Sequence, residues 1–185
     1  MANWYTADTH FGHDNVISFW GRPFKHVGHM DFVLIENMWK VVQPEDDLWI
    51  IGDFASGPKA KDPDYLNILF GQLPGKAKHL IAGNHDLTPT LELPWNSVAH
   101  VAEVPDGAAG QSHTLCHYPM ITWNGARTGS LQLFGHVHNN WQGSRNAVNV
   151  GVDQWGFMPV SFEQAAQLAI SLPENKHWAD VERQY

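Results

Sequence analysis

The sequence predicts an α/β fold, on the strength of three observations. Short apolar runs alternate along the chain with segments whose apolar residues recur at helical spacing. Strands that alternate with helices are typical of layered α/β folds. Polar residues directly follow several of the apolar runs, as they do where ligands bind outside the carboxyl ends of strands in open α/β sheets.

The first half of the chain contains three predicted strands and two predicted helices. The strands are the runs at 4–8, 47–51 and 77–82. A helix is predicted from about 30 to 42, because its apolar side chains form one stripe, and Pro44 ends it. A second helix is predicted over 64–70 and ends at Gly71.

The second half is predicted to be richer in strands. The runs at 98–104 and 112–116 are expected to pair through Pro105-Asp106-Gly107 and the loop that follows. Further strands are predicted at 131–134 and 147–150. Ser161 and Gln164 form a capping box that begins a last helix, about 161–171, and the tail 173–185 has no clear pattern. We expect residues 1–185 to form one domain, since 185 residues suit a single core.

Composition limits the classes of function. The chain has 11 Lys and Arg against 19 Asp and Glu, a net charge of −8, whereas proteins that bind long nucleic acid usually present a basic face. A long nucleic-acid partner is therefore not expected, but a small anionic substrate is compatible, because bound metal reverses the local sign of charge. No signal segment or membrane-spanning run is visible, so we expect a cytoplasmic protein without a membrane partner.

Histidine is unusually frequent and unusually placed. The 12 His outnumber Lys and Arg together, and histidine is the commonest protein metal ligand. Five polar clusters follow apolar segments: Asp8-Thr9-His10, Gly52-Asp53, Gly83-Asn84-His85-Asp86, His117 and Gly135-His136-Val137-His138. In extended backbone, residues two apart share a side, which would pair the ligands of the first and last clusters. Mixed carboxylate, imidazole and amide ligands favour Mn, Fe, Zn or Ni over calcium.

The order of these clusters resembles the calcineurin-like metallophosphoesterase superfamily. Its pattern is D-x-H, G-D, G-N-H-[DE], H and G-H-x-H, and every part occurs here in order between residues 8 and 138. The opening segment 8–13 and the small size look like the compact stand-alone members of prokaryotes and their viruses. The resemblance implies the metallo-dependent phosphatase fold, a four-layer α/β/β/α sandwich with two mixed β-sheets and the site at one edge.

The resemblance also implies a dinuclear metal centre, for which Mn is favoured. Asp8, His10 and His138 would hold one divalent ion. Asn84, His117 and His136 would hold the second. Asp53 would bridge both. A hydroxide between the ions would attack phosphorus, and His85 would stabilise the transition state and protonate the leaving group. Asp86 is expected either to orient His85 or to cap the turn.

The chain departs from the protein phosphatases of that superfamily. They read G-D-x-x-D-R-G where this chain has Gly52-Asp53-Phe54-Ala55-Ser56-Gly57, and they carry an Arg beside G-N-H where Leu87 and Thr88 stand here. We therefore expect hydrolysis of small phosphate esters, with small phosphodiesters favoured. The alternatives are a phosphomonoesterase or nuclease of the same superfamily, or a non-catalytic metal-binding interaction scaffold, which would have broken motifs.

Four residues are candidates for binding the substrate. Asn84 belongs to the G-N-H motif, and His13 is close in sequence to the first cluster. Arg22 and Arg127 occupy polar loops, where each could grip a phosphate in bidentate fashion or simply lie at the surface. Nothing in the sequence points to a protein partner.

Overall fold

The computed structural model describes residues 1–107 and 110–182, and it confirms the α/β class with two mixed five-stranded sheets. The first sheet contains four parallel strands: β1 (Asn3–Thr6), β2 (Asp47–Ile51), β3 (Ala77–Ile81) and β4 (Ser97–Ala99). An antiparallel strand, β10 (Val160–Ser161), lies beside β1 at the edge. The register places Tyr5 opposite Trp49, and Ile51 opposite Ile81.

The second sheet has the order β5-β6-β7-β9-β8. Its strands are β5 (Val101–Asp106), β6 (Gln111–Cys116), β7 (Gln132–Phe134), β8 (Gly143–Ser144) and β9 (Ala147–Asn149). The central pairs β6–β7 and β7–β9 are parallel. The expected pairing of β5 with β6 is confirmed and is antiparallel, although residues 108 and 109 of their connection lie outside the described residues.

One predicted strand is divided between the two sheets. The run at 98–104 breaks at His100, so that β4 joins the first sheet and β5 joins the second. Apolar residues continue on both sides of the break, at Val98 and Val101, although both side chains are exposed. The apolar pattern therefore gives no sign that the strand divides. The change of sheet is a tertiary event, which local sequence cannot reveal.

The helices match the predicted ones and add short ones. They are α1 (Asn15–Trp20), α2 (Val27–Val41), α3 (Pro63–Gly71), α4 (Thr88–Leu91), α5 (Phe162–Ser171) and α6 (Trp178–Val181). Both hydrogen bonds of the predicted capping box begin α5. In the expected tail, α6 is a single turn, and residues 183–185 lie outside the described residues. Within the described ranges, no helix combines the length and apolar character needed to cross a bilayer.

The central strands bury both of their faces. Leu48 and Ile50 belong to the core between the first sheet and helices α2 and α3. Trp49 and Ile51 point the other way, into the core between the two sheets, together with Leu115 of β6. This is why the strands read as continuous apolar runs rather than alternating ones.

The outer face of the second sheet is covered differently from the helical layer that the resemblance implies. In the described part of the chain, Phe134 and Ala147 of this face pack against Trp123 and Ala126, with Trp178 of α6 at the margin. The covering segment there contains a short 3-10 turn, Ala126–Thr128. Two mixed sheets are therefore established, while the four-layer α/β/β/α sandwich stays an expectation.

The two sheets meet at their carboxyl edges. Ala7, directly after β1, forms a parallel bridge with Gly151, which follows β9. Val152 donates its backbone N–H to the carbonyl of Ala7 at 3.0 Å. The ends of β1, β2 and β3 in one sheet and of β6, β7 and β9 in the other therefore converge, and the segments after them share one site.

Core packing can be tested with a pair of isoleucines. We expect Ile50→Ala to lower the free energy of unfolding by about 2–5 kcal/mol, because Ile50 is fully buried and its loss leaves a cavity. The matched control Ile68→Ala, at a position 66% exposed, should change it by less than about 0.5 kcal/mol. Urea denaturation measures both. Equal losses would mean that Ile50 is not in the core described above.

Candidate metal centre

Seven predicted ligands come from segments that follow strands, and the structure brings them together at the joint edge of the two sheets. The first group comprises Asp8, His10 and His138, each of which offers a ligand atom within 4.8 Å of the others. All three residues are buried, and Nε2 of His10 lies 3.3 Å from Nε2 of His138. This is the set that the resemblance implies for one ion.

The second group comprises Asp53, His117 and His136, whose ligand atoms also lie within 4.8 Å of one another. The side-chain oxygen of Asn84 lies 3.2 Å from Nε2 of His117, which adds the predicted amide ligand to this group. Asp53 and His117 are buried, whereas His136 and Asn84 are exposed. The second group is therefore the open side of the centre.

Asp53 links the two groups through a single atom. Its Oδ2 lies 3.5 Å from Nε2 of His10, in the first group, and 3.5 Å from Nε2 of His117, in the second. Its other oxygen accepts the backbone N–H of His85 at 2.9 Å. The carboxylate is thus held between the groups, where a bridging ligand would have to be.

The backbone at the ligands is left-handed. Among the described residues, six other than glycine have positive φ, and five of them are predicted ligands: Asp8, His10, Asp53, His136 and His138, with φ between 49° and 71°. The premise that residues two apart share a side through extended geometry is therefore wrong, although their ligand atoms do converge. Left-handed geometry costs roughly 1–2 kcal/mol per residue outside glycine, so local strain is concentrated at this site.

Two glycines permit the close approach of the motif loops. A Cβ on Gly83 would lie 2.4 Å from Oδ1 of Asp53, and a Cβ on Gly135 would lie 2.6 Å from Oδ2 of Asp8. Neither position could hold a side chain without moving a predicted ligand. The glycines of these motifs thus let backbone pass directly beside the carboxylates.

Three imidazoles are fixed through the nitrogen that faces away from the centre. Nδ1 of His117 lies 2.9 Å from the carbonyl oxygen of Ile51, which can only accept, so this nitrogen carries the proton and Nε2 is free to bind a metal. Nδ1 of His10 lies 2.8 Å from the hydroxyl of Ser56. Nδ1 of His138 lies 2.7 Å from the carboxylate of Asp153. Such hydrogen bonds set the tautomer and orientation of metal-binding histidines.

Arg22 is placed differently from the expectation that it contacts a substrate phosphate. Its side chain has no exposed surface, and its guanidinium forms a bidentate ion pair with Asp153, with both N–O distances 2.8 Å. It also donates to the backbone carbonyls of Asp8 and Thr9, at 2.7 and 3.1 Å. Arg22 therefore supports the ligand segments from inside.

Arg127 is likewise not brought to the ligand groups. It lies in the 3-10 turn on the outer side of the second sheet and pairs with Glu182. His13, by contrast, is half-buried beside the centre, with its ring centroid 6.1 Å from that of His10. Burial lowers the pKa of His13, so the neutral ring is favoured there.

Two residues of the segment Gly83-Asn84-His85-Asp86 have different surroundings: Asp86 bonds to backbone, and His85 is exposed. The carboxylate of Asp86 accepts the backbone N–H groups of Gly83, Asp53 and Phe54 at 2.8–2.9 Å. Of the two roles expected for Asp86, this geometry is that of the cap, and within the described residues its carboxylate makes no hydrogen bond to the His85 ring. The His85 ring is exposed at the centre, 5.4 Å from the ring of His10 between centroids.

Burial and mutual charge shift the pKa values of the groups at the centre in different directions. Burial raises the pKa of Asp8 to about 6, although the N–H of His136 bonds both of its oxygens. Burial alone would also raise the pKa of Asp53, but the hydrogen bond and charge of His117 lower it to about 2. Conversely, burial alone would lower the pKa of His117, yet Asp53 raises it to about 8. Burial lowers the pKa of His10 to about 3.

The donor set fits divalent transition metals. Asp8, Asp53 and Asp86 are buried around the centre, and the side chain of Asp153, which pairs with Arg22, is 4% exposed. Buried carboxylates are stable when they are paired or coordinate metals. Carboxylate oxygens and imidazole nitrogens that face one another suit Mn, Fe, Zn or Ni, whereas calcium takes six to eight oxygens. The two groups could each hold one ion.

Sequence reasoning missed the residues that support the ligands. Asp153 follows strand β9 in Gly151-Val152-Asp153, and this recurrence of a polar residue after a strand could have pointed to it. Asn149, at the end of β9, donates to the carbonyls of His138 and Trp141, each at 2.8 Å. Ser56 stands where the protein phosphatases have the second Asp of G-D-x-x-D-R-G, a position that sequence reasoning noted only as a departure. Asn149 matches no motif position.

Comparison with known proteins places the chain in a family. It is 32% identical over 184 residues to the Gene 66 protein of Mycobacterium phage D29, across 84% of this chain and 90% of the phage protein. The chain belongs to the family of that phage protein. No protein-family model matches the chain.

Two solved structures are similar to this one. The protein of unknown function AQ665 from Aquifex aeolicus is 27% identical and superposes with a TM-score of 0.70, over 90% of this chain and 98% of that one. Similarity to the nuclease MPE of Pseudomonas putida is weak. Its TM-score is 0.41 with 18% identity, over 74% of this chain and 61% of that one.

The burial of Asp86 can be tested through the pH dependence of protein stability. Burial raises this pKa to about 6, so between pH 4 and 6 the folded chain keeps a proton that the unfolded chain has lost. The stability contributed by this group is complete below pH 4 and falls as the pH rises to 6. In chelator, the unfolding free energy of the parent minus that of Asp86→Asn should therefore fall by about 3 kcal/mol between pH 4 and 7.

Asp46→Asn is the matched control for that titration. Asp46 is also buried, but hydrogen bonds from Ala2, Gln43 and Trp4 outweigh the effect of burial and lower its pKa. Its contribution should not decline over the same range. Urea denaturation at four pH values measures both differences, and a flat profile for Asp86 would show that its carboxyl titrates normally.

Proposed function

We propose that the chain is a metal-dependent phosphoesterase that uses two divalent ions. The observation that carries the proposal is the position of Asp53, whose Oδ2 lies 3.5 Å from an imidazole of each ligand group. A carboxylate in that position can serve both ions at once. Two ions held about 3.5–4 Å apart are typical of phosphatases and nucleases.

The proposed ligands follow from the two groups. Asp8, His10 and His138 would hold one ion, Asn84, His117 and His136 would hold the other, and Asp53 would serve both. When bound, the ions would act as Lewis acids on a phosphoryl oxygen and lower the pKa of a coordinated water. Mn²⁺ is the ion that we favour.

His85 is the proposed acid for the leaving group. Its ring is exposed at the centre, while its backbone N–H bonds Oδ1 of Asp53 at 2.9 Å, so its main chain is fixed to the bridging carboxylate. From this position the imidazole can donate a proton to the departing oxygen. His13 and Asn84, on the same side, are available to orient the phosphate.

Small phosphodiesters are the substrates that we favour. Among the described residues, the cation that bonds the ligand segments is Arg22, which is buried and paired with Asp153, so it offers no track to a polyanion. Tyr118 stands at the open side instead, 44% exposed, with its ring 4.8 Å from that of His136. A neutral aromatic surface suits a small ester with an aromatic or nucleobase group.

The buried side chain of Gln132 fixes that tyrosine. It donates to the carbonyl of Tyr118 at 2.7 Å and accepts the N–H of Met120 at 2.8 Å. The loop after His117 is therefore held from within the second sheet.

Hydrolysis of chromogenic esters tests the proposal. With Mn²⁺, the full chain should hydrolyse bis(p-nitrophenyl) phosphate faster than p-nitrophenyl phosphate, and a chelator should abolish both reactions. A faster monoester reaction would reverse the preference for diesters. Bound metal with no turnover on either ester would favour the interaction scaffold instead.

The role of His85 has its own test. His85→Ala should lower kcat on the diester by about 10²–10⁴-fold, while the metal content stays unchanged. His100→Ala, at an exposed position between β4 and β5, is the control and should keep full activity. Loss of metal together with activity in His85→Ala would mean that this residue holds the centre together rather than acting as an acid.

A further inference from the structure

We propose that Asp153 is a positioning residue that makes the group Asp8, His10 and His138 the tighter of the two metal sites. The group Asp53, His117 and His136 is then the site that exchanges its ion. This inference rests on the proposed function only in requiring that both groups bind divalent ions. Four features of the described residues support it.

The first feature is the carboxylate behind His138. Oδ2 of Asp153 lies 2.7 Å from Nδ1 of His138 and accepts a hydrogen bond from this nitrogen, which leaves Nε2 of that ring facing His10. A carboxylate partner makes an imidazole more basic and a stronger ligand, and loss of such a partner typically costs 10–100-fold in metal affinity. Asp153 itself lies outside both ligand groups.

The second feature is the way in which Arg22 fixes Asp153. The pair is bidentate and buried, with the two side chains 0% and 4% exposed. The same guanidinium holds the carbonyl of Asp8 at 2.7 Å. Arg22 therefore joins the segment after β1 to the segment after β9. It links Asp8, a proposed ligand of the first group, to Asp153, which supports His138 in the same group.

The third feature is the stacking around His138. Its ring lies parallel to that of Trp20, with centroids 4.1 Å apart and an interplanar angle of 11°. It is also stacked with His10, at 5.0 Å and 14°. Rotation of His138 would break both contacts and the bond to Asp153, so the ligand is pre-organised before any ion binds.

The fourth feature is the contrast with the second group. His117 is held by a neutral backbone carbonyl, that of Ile51. His136 is exposed, and within the described ranges its ring has no hydrogen-bond partner, although the edges of the His117 and Tyr118 rings lie beside it. Asn84, the amide of this group, is exposed as well. Among the residues that the structure describes, no carboxylate bonds either imidazole on the side away from the ligand group, and solvent reaches the site.

Titration of metal-free full-length chain with Mn²⁺, followed by calorimetry, tests the inference. The parent should bind two ions in two classes of different affinity. Asp153→Asn should weaken the tighter class by 10–100-fold and leave the looser class unchanged. Asp46→Asn is the control, because it removes a hydrogen-bonded carboxylate that precedes β2, at the end of that strand away from the ligand groups, and it should leave both classes unchanged.

A second variant keeps the test decisive if Asp153→Asn does not fold. Arg22→Lys retains the charge but loses the bidentate geometry, and it should weaken the tighter class by a smaller factor. One class of two equal sites in the parent would overturn the inference, as would variants that weaken the looser class or both classes alike.

The inference and the proposed function can fail separately. Two classes of binding without ester hydrolysis would leave the inference standing and remove the proposed function. Mn²⁺-dependent hydrolysis by a protein with two equal sites would support the proposed function and overturn the inference.

Discussion

The contact between the carboxyl edges of the two sheets is the constraint on which the rest of the structure depends. The bridge between Ala7 and Gly151, together with the hydrogen bond from Val152 to Ala7, places the end of β1 beside the end of β9. Every predicted ligand lies in a segment that follows a strand of one sheet or the other. If the sheets were packed with any other offset, the two ligand groups would not face each other across Asp53.

This convergence has a cost in free energy that the fold accommodates locally. Five of the predicted ligands adopt left-handed backbone, and buried carboxylates stand close together with Arg22 among them. Such strain persists only where surrounding structure over-determines it. Here the hydrogen bonds of Asp86, Asn149 and Arg22 to backbone groups supply that support. Bound cations would offset the remaining charge, which supports the proposed metal centre.

The charge of Arg22 suggested a contact with substrate, whereas its position in the fold pairs it with a carboxylate inside the protein. In sequence Arg22 is one of few basic residues and occupies a polar loop, where it could grip a phosphate or simply lie at the surface. In the structure the same attraction is satisfied by Asp153, 131 positions away. Because Arg22 is buried, the exposed residues beside the predicted ligands include His85, His136 and Tyr118. Selection of a substrate there would depend on metal and aromatic contacts more than on basic side chains.

The sequence by itself determined what is local: the strand at 47–51, the capping box of Ser161 and Gln164, and the clusters of Asp, Asn and His that contain the predicted ligands. It also identified the motif glycines that let backbone pass close to the carboxylates, because the absence of a side chain can be seen directly in the sequence. Tertiary structure alone decided that the run at 98–104 divides between the sheets and that the ligand backbone is left-handed. It also decided that Asp153 supports His138. The physical reason is that these features arise from contacts between segments far apart in the chain, and no residue pattern within one segment records its partner in another.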